Sequence, residues 1–425
     1  MEPARLGGTA GQGGGARARA AAAWRRRAGA PLAALLMLAV GCRGDDDPGA
    51  ALPGQDAAGA TDAAPNADAA DAADAEATPG PPPAWTERGP FTVGVRELDL
   101  HDAPRDRDVP TLVWYPALDG GEPAAEYLLG LVLGEALEDA APDEAAGPWP
   151  MVLFSHGFKG ASAQSASVTE HLASWGYVVV AMDHLGNTLF DPDDDQVAAE
   201  VAQLRPGDVA FAAASVLTTM GGLVDATRVA VMGHSFGGFT ALVVAGATSH
   251  IADARAACAA GDPSDIFCDY VPFMADDAVI TLDPPLAGLR AAIYLAPGGY
   301  SALGADGLAG IRVPGLILGG TLDSTTPLDA EVRRIYQDHP QPVLLGEIDG
   351  AAHLSFTELC LLEGIGDALG DFCGGPDALD GHEVLRITAG LATAFLELNL
   401  RGDERARPWL THPALDHLTM VAPDD

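Results

Sequence analysis

Six short runs of consecutive apolar residues recur along the chain, and their pattern predicts buried strands. Strands of a parallel sheet are covered on both faces, so they carry near-continuous apolar residues without polar alternation. We predict helices between them over about 164–175 and 208–220, the first with Ser167 and Glu170 spaced as a capping box. This alternation predicts an α/β protein with a mostly parallel, doubly wound sheet of about eight strands. The runs are residues 151–154, 177–182, 229–232, 291–295, 314–318 and 343–348.

Other patterns flank these runs. Residues 91–100 and 111–115 alternate apolar and polar positions, which is typical of a half-exposed hairpin at the edge of a sheet. Residues 122–147 are helical and loop-like by turns and predict a surface excursion. A helix over about 383–398, with apolar residues at helical spacing, is expected to close the fold.

Residues 250–289 are rich in loop formers and predict a small cap-like insertion. The insertion has two apolar pieces, at residues 266–267 and 270–274. They either line a pocket for an apolar group or pack the insertion onto the body of the domain, and the sequence leaves both interpretations open.

The N-terminal part of the chain has a different composition from the rest. Residues 1–41 combine several arginines with a short apolar run that ends before Gly41-Cys42, the layout of a secretory signal peptide. The Ala39-Val40-Gly41-Cys42 stretch resembles the lipobox of bacterial lipoproteins, which implies lipidation of Cys42. A plain signal peptide with an incidental cysteine is the alternative. Either interpretation predicts an exported protein, which is anchored on the periplasmic or outer surface in the first case and secreted in the second.

Residues 42–84 repeat Ala, Asp, Gly and Pro and contain almost no bulky apolar residues, which predicts a disordered acidic tether. We therefore divide the remainder into a catalytic domain over residues 85–410 and a tail over residues 411–425. The formal net charge of the 425 residues is −37, so nucleic acid is excluded as a partner because phosphate binding needs positive charge. The only membrane contact that we predict is the lipid on Cys42, and the oligomeric state stays open.

Cysteine usage also indicates export. Of the five cysteines, Cys42 stands apart and the other four fall into two local groups. Four cysteines allow three pairings, and we predict Cys258 with Cys268 and Cys360 with Cys373 because nearby residues meet most often. Free thiols or a metal site are the alternatives.

The candidate chemistry centres on Gly233-His234-Ser235-Phe236-Gly237, which follows the apolar run at 229–232 and precedes an apolar helix. A serine on such a sharp strand-to-helix turn takes a strained conformation, so the residues two before and two after must lack side chains. Gly233 and Gly237 meet this requirement. We predict that Ser235 is a nucleophile, against the alternative of an ordinary glycine-rich turn.

A serine nucleophile needs a histidine base and a carboxylate that orients the base. Asp323 follows the strand at 314–318 and His353 follows the strand at 343–348, so we predict these two residues as acid and base. Asp329 and Asp349 are weaker candidates for the acid. The remaining histidines near predicted strand ends, at positions 156, 184 and 234, are better explained as residues that shape the site.

Two backbone N–H groups are expected to stabilise the oxyanion of a tetrahedral intermediate. By their positions after the nucleophile and after the strand at 151–154, they would be those of Phe236 and Phe158. Lys159, the one lysine of the chain, lies beside this loop. The acidic run at 191–195 is expected to be a solvated loop, with a calcium site as the alternative. We predict no metal and no cofactor.

These motifs together resemble the α/β-hydrolase superfamily over about residues 91–399. Ser155-His156-Gly157 and Arg205-Pro206-Gly207-Asp208 resemble predicted dienelactone hydrolases and platelet-activating-factor acetylhydrolase-like esterases. The Ser235 and His353 loops are also similar to bacterial cutinase-type polyester hydrolases. Dienelactone hydrolases proper use a cysteine nucleophile, so Ser235 favours ester chemistry.

The resemblance implies a cofactor-free serine carboxylic-ester hydrolase that acts on short-chain acyl esters or lipids through an acyl-enzyme. Two alternatives stay open. One is a non-catalytic binding lipoprotein with a hydrolase fold, and the other is a peptidase or lactonase with the same triad.

Overall fold

A mostly parallel β-sheet organises the part of the chain that the computed structural model describes, which is residues 83–120, 124–261 and 267–421. Among these residues the sheet has eleven strands, in the order β13-β12-β11-β10-β7-β5-β6-β2-β1-β4-β3, and β8 pairs with β9 separately. The strands are β1 (Thr92–Asp102), β2 (Arg107–Ala117), β3 (Ala124–Tyr127), β4 (Val132–Glu138), β5 (Trp149–Ser155), β6 (Val178–Met182), β7 (Val224–His234), β8 (Ser249–His250), β9 (Val279–Ile280), β10 (Leu289–Leu295), β11 (Gly315–Gly320), β12 (Val343–Ile348) and β13 (Leu418–Val421).

Helices cover both faces of this sheet. They are α1 (Ala166–Ser174), α2 (Asp195–Thr219), α3 (Phe236–Val244), α4 (Ile251–Ala260), α5 (Tyr300–Leu308), α6 (Arg333–Asp338), α7 (Ile365–Leu369), α8 (Gly381–Leu396) and α9 (Ala406–Thr411). No helix in the described part of the chain is both long enough and apolar enough to cross a bilayer.

The sheet separates two hydrophobic cores. Side chains from α2 to α6 pack into one core, and side chains from α1, α8 and α9 pack into the other. Within β7, Val229 and Val231 belong to the first core whereas Ala230 and Met232 belong to the second. Successive residues of a strand point to opposite faces, so a continuous apolar run fills both cores. This is why the six apolar runs predict their strands correctly.

The N-terminal hairpin lies inside the sheet, and our prediction of an edge hairpin is wrong. Strands β1 and β2 pair antiparallel, β2 then pairs with β6, and β4 extends the sheet beyond β1. Strands β3 and β4 come from the segment that we expected to be a surface excursion. Each buries only two side chains, Ala125 and Tyr127 in β3 and Val132 and Ala136 in β4, so the apolar signal of this segment is weak.

The predicted tail also contributes a strand. Within residues 411–425, Leu418–Val421 forms β13, which pairs antiparallel with β12 and occupies the edge of the sheet. Leu418 and Met420 pack against the second core. Burial of these side chains and pairing of an otherwise open strand edge explain why so short a segment is ordered.

Helix α2 starts well before the predicted position. We expected a helix over about residues 208–220, with Pro206 and Gly207 just before it. The helix begins at Asp195 instead, where Asp194 caps it by accepting hydrogen bonds from two backbone N–H groups, and it continues through Pro206. Arg205 and Asp208 are fully buried on the face that packs against the sheet. Tertiary packing therefore overrides local propensity here.

The predicted capping box of Ser167 and Glu170 is also wrong. Ser165 precedes α1 and makes no capping hydrogen bond with its side chain, and Glu170 lies inside the helix with 4% exposure. The Glu170 carboxylate accepts hydrogen bonds from the Tyr127 hydroxyl at 2.7 Å and from the backbone N–H groups of residues 135 and 136 at 2.8 and 3.1 Å. Glu170 thus ties α1 to β3 and β4.

The replacement Glu170→Gln is predicted to lower the free energy of unfolding by about 2–3 kcal/mol, because the amide NH₂ would face a backbone donor that then loses its acceptor. Urea unfolding measures the change. The control is Glu200→Gln, the same substitution at an exposed position of α2, which we expect to cost less than about 0.5 kcal/mol. Equal midpoints for the two variants would contradict the structural role given to Glu170.

Candidate active site

Three side chains meet at the carboxyl ends of parallel strands of the sheet. Ser235 follows β7, Asp323 follows β11 and His353 follows β12. The Nε2 atom of His353 lies 2.7 Å from Ser235 Oγ, and its Nδ1 atom lies 2.8 Å from Asp323 Oδ2. Ser235 is 6% exposed to solvent, and Asp323 and His353 are each 5% exposed. The structure therefore brings together the three residues predicted as nucleophile, acid and base in one hydrogen-bonded chain.

Ser235 occupies a strained turn between β7 and α3. Its φ is 55°, in the left-handed region that residues other than glycine rarely adopt. A Cβ atom on Gly233 would lie 2.1 Å from the Gly237 carbonyl oxygen, and one on Gly237 would lie 1.9 Å from the Ser155 carbonyl oxygen. Any side chain at these two positions would collide with backbone. The tight turn presents Ser235 Oγ at the start of α3, where helix N–H groups lack partners within the helix.

Asp323 is fixed by the turn that follows it. Its Oδ1 atom accepts hydrogen bonds from the N–H groups of Thr325 and Thr326, both at 2.8 Å, and its Oδ2 atom accepts one from the Thr326 hydroxyl at 2.9 Å. Burial acts to raise the pKa of Asp323, but His353 and the Thr326 bonds outweigh burial, so the pKa lies below its ordinary value. Asp323 is therefore a carboxylate at neutral pH, with its second oxygen directed at His353.

The two rival acids lie elsewhere. Asp329 pairs with Arg333 on the following helical turn, with 88% of its side chain exposed. Asp349 accepts a hydrogen bond from the Thr321 hydroxyl at 3.1 Å. Neither residue has a contact with His353 among the hydrogen bonds of the described chain.

The loop after β5 lies directly beside the serine. A Cβ atom placed on Gly157 would be 3.4 Å from Ser235 Cβ, so the backbone at this point lies close to the serine. The next residue is Phe158, one of the two predicted oxyanion donors. The other, Phe236, is the first residue of α3, so its N–H group has no acceptor within the helix.

Gln164 and His234 connect the loop after β5 to the loop that carries His353. Gln164 accepts a hydrogen bond from the Gly157 N–H at 3.0 Å and lies 3.1 Å from His234 Nδ1 through its side-chain nitrogen. The His234 Nε2 atom lies 2.8 Å from the carbonyl oxygen of His353. Because a carbonyl oxygen only accepts, His234 carries its proton on Nε2 and accepts from Gln164 on Nδ1. Sequence reasoning missed Gln164, since no motif marks a lone glutamine before a helix.

The insertion at residues 250–289 contributes aromatic rings to the site. The Phe267 ring lies 4.8 Å from the Phe239 ring and 5.9 Å from the Phe236 ring, and Phe267 is fully buried. The Tyr270 ring lies 5.4 Å from the Phe158 ring, which is 39% exposed. Phe267 thus packs the insertion onto the body of the domain, as one of the two interpretations predicts, and the role in lining a pocket stays a prediction.

Both predicted cysteine pairs are bonded in the structure. The Cα atoms of Cys258 and Cys268 are 5.4 Å apart in the insertion, and those of Cys360 and Cys373 are 5.6 Å apart in the segment after the His353 loop. The predicted signal peptide at residues 1–41, Cys42 and the tether up to residue 82 lie outside the described residues, as does residue 266.

Side chains of the acidic run at 191–195 accept hydrogen bonds from neighbouring backbone groups. Asp191 accepts hydrogen bonds from the N–H groups of Gly186 and Thr188 at 2.8 and 2.9 Å, and Asp194 caps α2. Lys159 reaches this run, with its ammonium 3.1 Å from Asp193 and 2.9 Å from the Asp191 carbonyl oxygen. Within the described ranges, no group of three or more His, Cys, Asp or Glu side chains is arranged to hold a metal ion.

The sheet order, the strained serine turn and the positions of the three side chains define an α/β-hydrolase fold. Among solved structures, the ferulic acid esterase from Streptomyces cinnamoneus aligns with a TM-score of 0.57 and 24% sequence identity, over 78% of this chain and 97% of the esterase. The predicted fold class is thereby confirmed, whereas the sheet of the described residues has eleven strands and not about eight.

Sequence comparison leads to related hydrolases. The family model described as chlorophyllase matches residues 134–293. Over 206 residues the chain is 29% identical to Cutinase 2 of Thermobifida cellulosilytica and to Cutinase cut1 of Thermobifida fusca. The aligned part makes up 48% of this chain, 60% of Cutinase 2 and 49% of Cutinase cut1. The chain thus spans about half the length of the curated relatives it matches. The predicted resemblance to α/β-hydrolases and cutinase-type esterases is confirmed.

The buried position of His234 generates a prediction on pH and stability. Burial, followed by the neighbouring His353, lowers the pKa of His234 to about 3, whereas an unfolded histidine has a pKa of about 6.5. Only the unfolded state takes up this proton as the pH falls below 6.5, so the stabilisation that neutral His234 provides is present above pH 6.5 and is lost progressively down to about pH 3.

We therefore expect the stability advantage of the wild type over His234→Asn to shrink by about 3 kcal/mol between pH 6.5 and pH 4, at about 1.4 kcal/mol per pKa unit. Urea unfolding of both proteins at several pH values measures this difference. A difference that stays constant across the range would contradict a neutral, buried His234.

Proposed function

We propose that this chain is a serine carboxylic-ester hydrolase. The observation that carries the proposal is the hydrogen-bonded chain from Ser235 through His353 to Asp323, with distances of 2.7 and 2.8 Å. The cutinases and the ferulic acid esterase to which the chain is similar support the same reaction class. Binding without catalysis would not need a carboxylate, an imidazole and a strained serine in this order.

The proposed reaction proceeds in two halves. His353 Nε2 takes the proton of Ser235 as Oγ attacks the ester carbonyl carbon, and a tetrahedral intermediate forms with a negatively charged oxygen. The bond to the alcohol oxygen then breaks, His353 gives its proton to the departing alcohol, and the acyl group stays on Ser235. Water, deprotonated by His353, attacks the acyl-enzyme, and the acid leaves as Ser235 regains its proton.

Asp323 and the two proposed donors are proposed to stabilise the charges that develop during the reaction. Asp323 holds His353 with Nδ1–H directed at its carboxylate and stabilises the imidazolium that forms during each half-reaction. The backbone N–H groups of Phe158 and Phe236 are proposed to donate to the oxyanion. These donors are preorganised, so they stabilise developing charge without first moving.

We propose short-chain acyl esters or lipids as substrates. The aromatic side chains of Phe158, Phe236 and Tyr270 contact one another, with ring centroids 5.4 to 6.4 Å apart, and are proposed to form an apolar wall for an acyl group. Turnover of acetyl to octanoyl esters, a phospholipid, a lactone and a peptide would rank the substrate classes. Preference for the peptide or the lactone would favour the alternatives that share this triad.

Replacement of Ser235 by alanine is predicted to reduce hydrolysis of p-nitrophenyl acetate by a factor on the order of 10⁴–10⁶, since it removes the nucleophile. Asp323→Asn is predicted to reduce kcat by about 10⁴, because the amide no longer favours the productive histidine tautomer. Initial rates measured by release of p-nitrophenol check both values.

The matched control is Ser324→Ala, which removes an exposed serine beside Asp323. We expect this variant to keep its activity within about twofold. Ester hydrolysis that persists in Ser235→Ala at the wild-type rate would reject the proposal, as would a wild-type protein that turns over no ester.

We also propose export and a lipid anchor on Cys42. Four of the five cysteines are paired in two disulfides, which suits an oxidising compartment and leaves Cys42 as the one cysteine outside these pairs. A diacylated cysteine would supply the two chains that stable anchoring needs.

When the full chain is expressed in a bacterium that processes lipoproteins, we expect it in the membrane fraction with incorporated labelled palmitate. Cys42→Ala should abolish the label and release the protein into the soluble fraction. Equal soluble fractions for the two proteins, without label in either, would favour a plain signal peptide.

A further inference from the structure

Arg205 of the Arg205-Pro206-Gly207-Asp208 motif is buried beside the proposed oxyanion loop. The residue is 0% exposed, and its Nη1 atom donates to the carbonyl oxygen of His156 at 2.9 Å. Its Nη2 atom donates to the carbonyl oxygen of Gly157 at 3.0 Å. One cationic side chain of α2 thus donates to two successive carbonyl groups in the loop after β5, directly before Phe158.

The neighbouring imidazole supports the same carbonyl group. The backbone N–H of His184 donates to His156 Nε2 at 3.1 Å, so this nitrogen is unprotonated. Burial, then the nearby Arg205, lower the pKa of His156 well below its ordinary value, and the ring is neutral with its proton on Nδ1. The Nδ1 atom lies 2.7 Å from the Gly157 oxygen and donates to it. Gly157 thus accepts hydrogen bonds from a guanidinium and an imidazole, and a third from the N–H of Gly160 at 3.2 Å.

The orientation of this carbonyl determines the orientation of the proposed donor. The Gly157 C=O and the Phe158 N–H belong to one peptide unit, and in a planar trans peptide the two bonds point in opposite directions. Hydrogen bonds that hold the oxygen in place therefore hold the N–H in place. A cation at the oxygen also withdraws electron density from the amide, which makes its N–H a stronger donor.

Arg205 contacts the second half of the oxyanion site as well. Its guanidinium carbon lies 4.8 Å from the centroid of the Phe236 ring, within the range of a cation–π contact. Burial, opposed by Asp208, lowers the pKa of Arg205 to about 9, so the side chain is still a cation at neutral pH. One buried charge thus contacts both the peptide unit that carries the Phe158 N–H and the ring of Phe236.

We infer that Arg205 is a positioning residue that orients and polarises the Phe158 N–H through the Gly157 carbonyl. This inference rests on the proposed esterase function and adds to it a residue outside the triad. A merely structural arginine would stabilise the fold without a selective effect on the chemical step. The two roles are therefore separable by kinetics.

The chain offers a matched control in Arg401. This arginine donates to the carbonyl oxygens of Trp175 and Gly176 at 2.9 and 2.6 Å, and its guanidinium lies 4.5 Å from the Tyr177 ring. Its contacts are thus of the same kind as those of Arg205. They lie before the first residue of β6, whereas the proposed site lies beyond the carboxyl ends of the strands.

The test compares Arg205→Lys, Arg205→Met and Arg401→Met in the full chain, with kcat and KM for p-nitrophenyl acetate and the inhibition constant of phenylboronic acid. The boronic acid forms a tetrahedral adduct with the serine, so its affinity reports on the oxyanion site. We expect Arg205→Met to lose about 10²–10³ in kcat, as when one oxyanion donor is removed, with KM changed less than about threefold. Affinity for the boronic acid should fall with kcat.

Arg205→Lys keeps the charge with fewer donors and should recover at least about tenfold of the kcat lost in Arg205→Met. Arg401→Met should keep kcat within about threefold, even if its melting temperature falls. Should Arg205→Met not fold, Arg205→Lys decides the matter, with an expected loss of about tenfold in kcat at unchanged KM.

Two results would overturn the inference alone. One is an active wild type with folded Arg205 variants whose kcat and boronic acid affinity equal those of the wild type. The other is an equal loss of kcat in Arg401→Met. A wild-type protein without ester hydrolysis would instead reject the proposed function, and the inference would fall with it.

Discussion

The register of the central parallel strands determines where the chemistry of this chain lies. Ser155 at the end of β5 pairs beside Gly233 in β7, and His234 at the end of β7 pairs beside Leu295 in β10. Strands β10, β11 and β12 continue the same parallel alignment. Their carboxyl ends therefore lie along one edge of the sheet, and the loops after β5, β7, β11 and β12 meet there. This alignment lets Ser235 and His353, 118 residues apart, form a hydrogen bond.

Buried charged and polar side chains stabilise this edge of the sheet. Asp208 accepts a bidentate pair of hydrogen bonds from Arg107 at 2.8 Å each, and its Oδ2 atom lies 3.0 Å from His184 Nδ1. His184 in turn lies 2.9 Å from the Ser155 hydroxyl. Burial opposes the charge of Asp208, but the bonds from His184 and Arg107 outweigh it and lower the pKa of Asp208 to about 2. Since an unpaired buried charge is costly, the end of β6, the start of β2 and α2 are fixed relative to each other.

Much of this arrangement follows from local sequence. Continuous apolar runs identify the strands that are covered on both faces, and the turn around Ser235 is marked because only glycine fits at positions 233 and 237. Asp323 and His353 can be placed because they follow successive strands. What cannot be predicted depends on contacts that are distant in sequence. Nothing in the local sequence distinguishes Glu170 from a surface glutamate. Pro206 and Gly207 usually interrupt a helix, but here they lie inside α2 next to the buried Arg205.

The polar contacts at the candidate site come from the body of the domain, and the insertion adds aromatic rings. Each polar group at the site is held by hydrogen bonds from the body of the domain, as Asp323 is by Thr326 and as Gly157 is by Gln164. The insertion meets the site through the rings of Phe267 and Tyr270, which are non-directional contacts that tolerate changes of shape. The Cys258–Cys268 disulfide links α4 to this aromatic segment and limits how far it departs from the body.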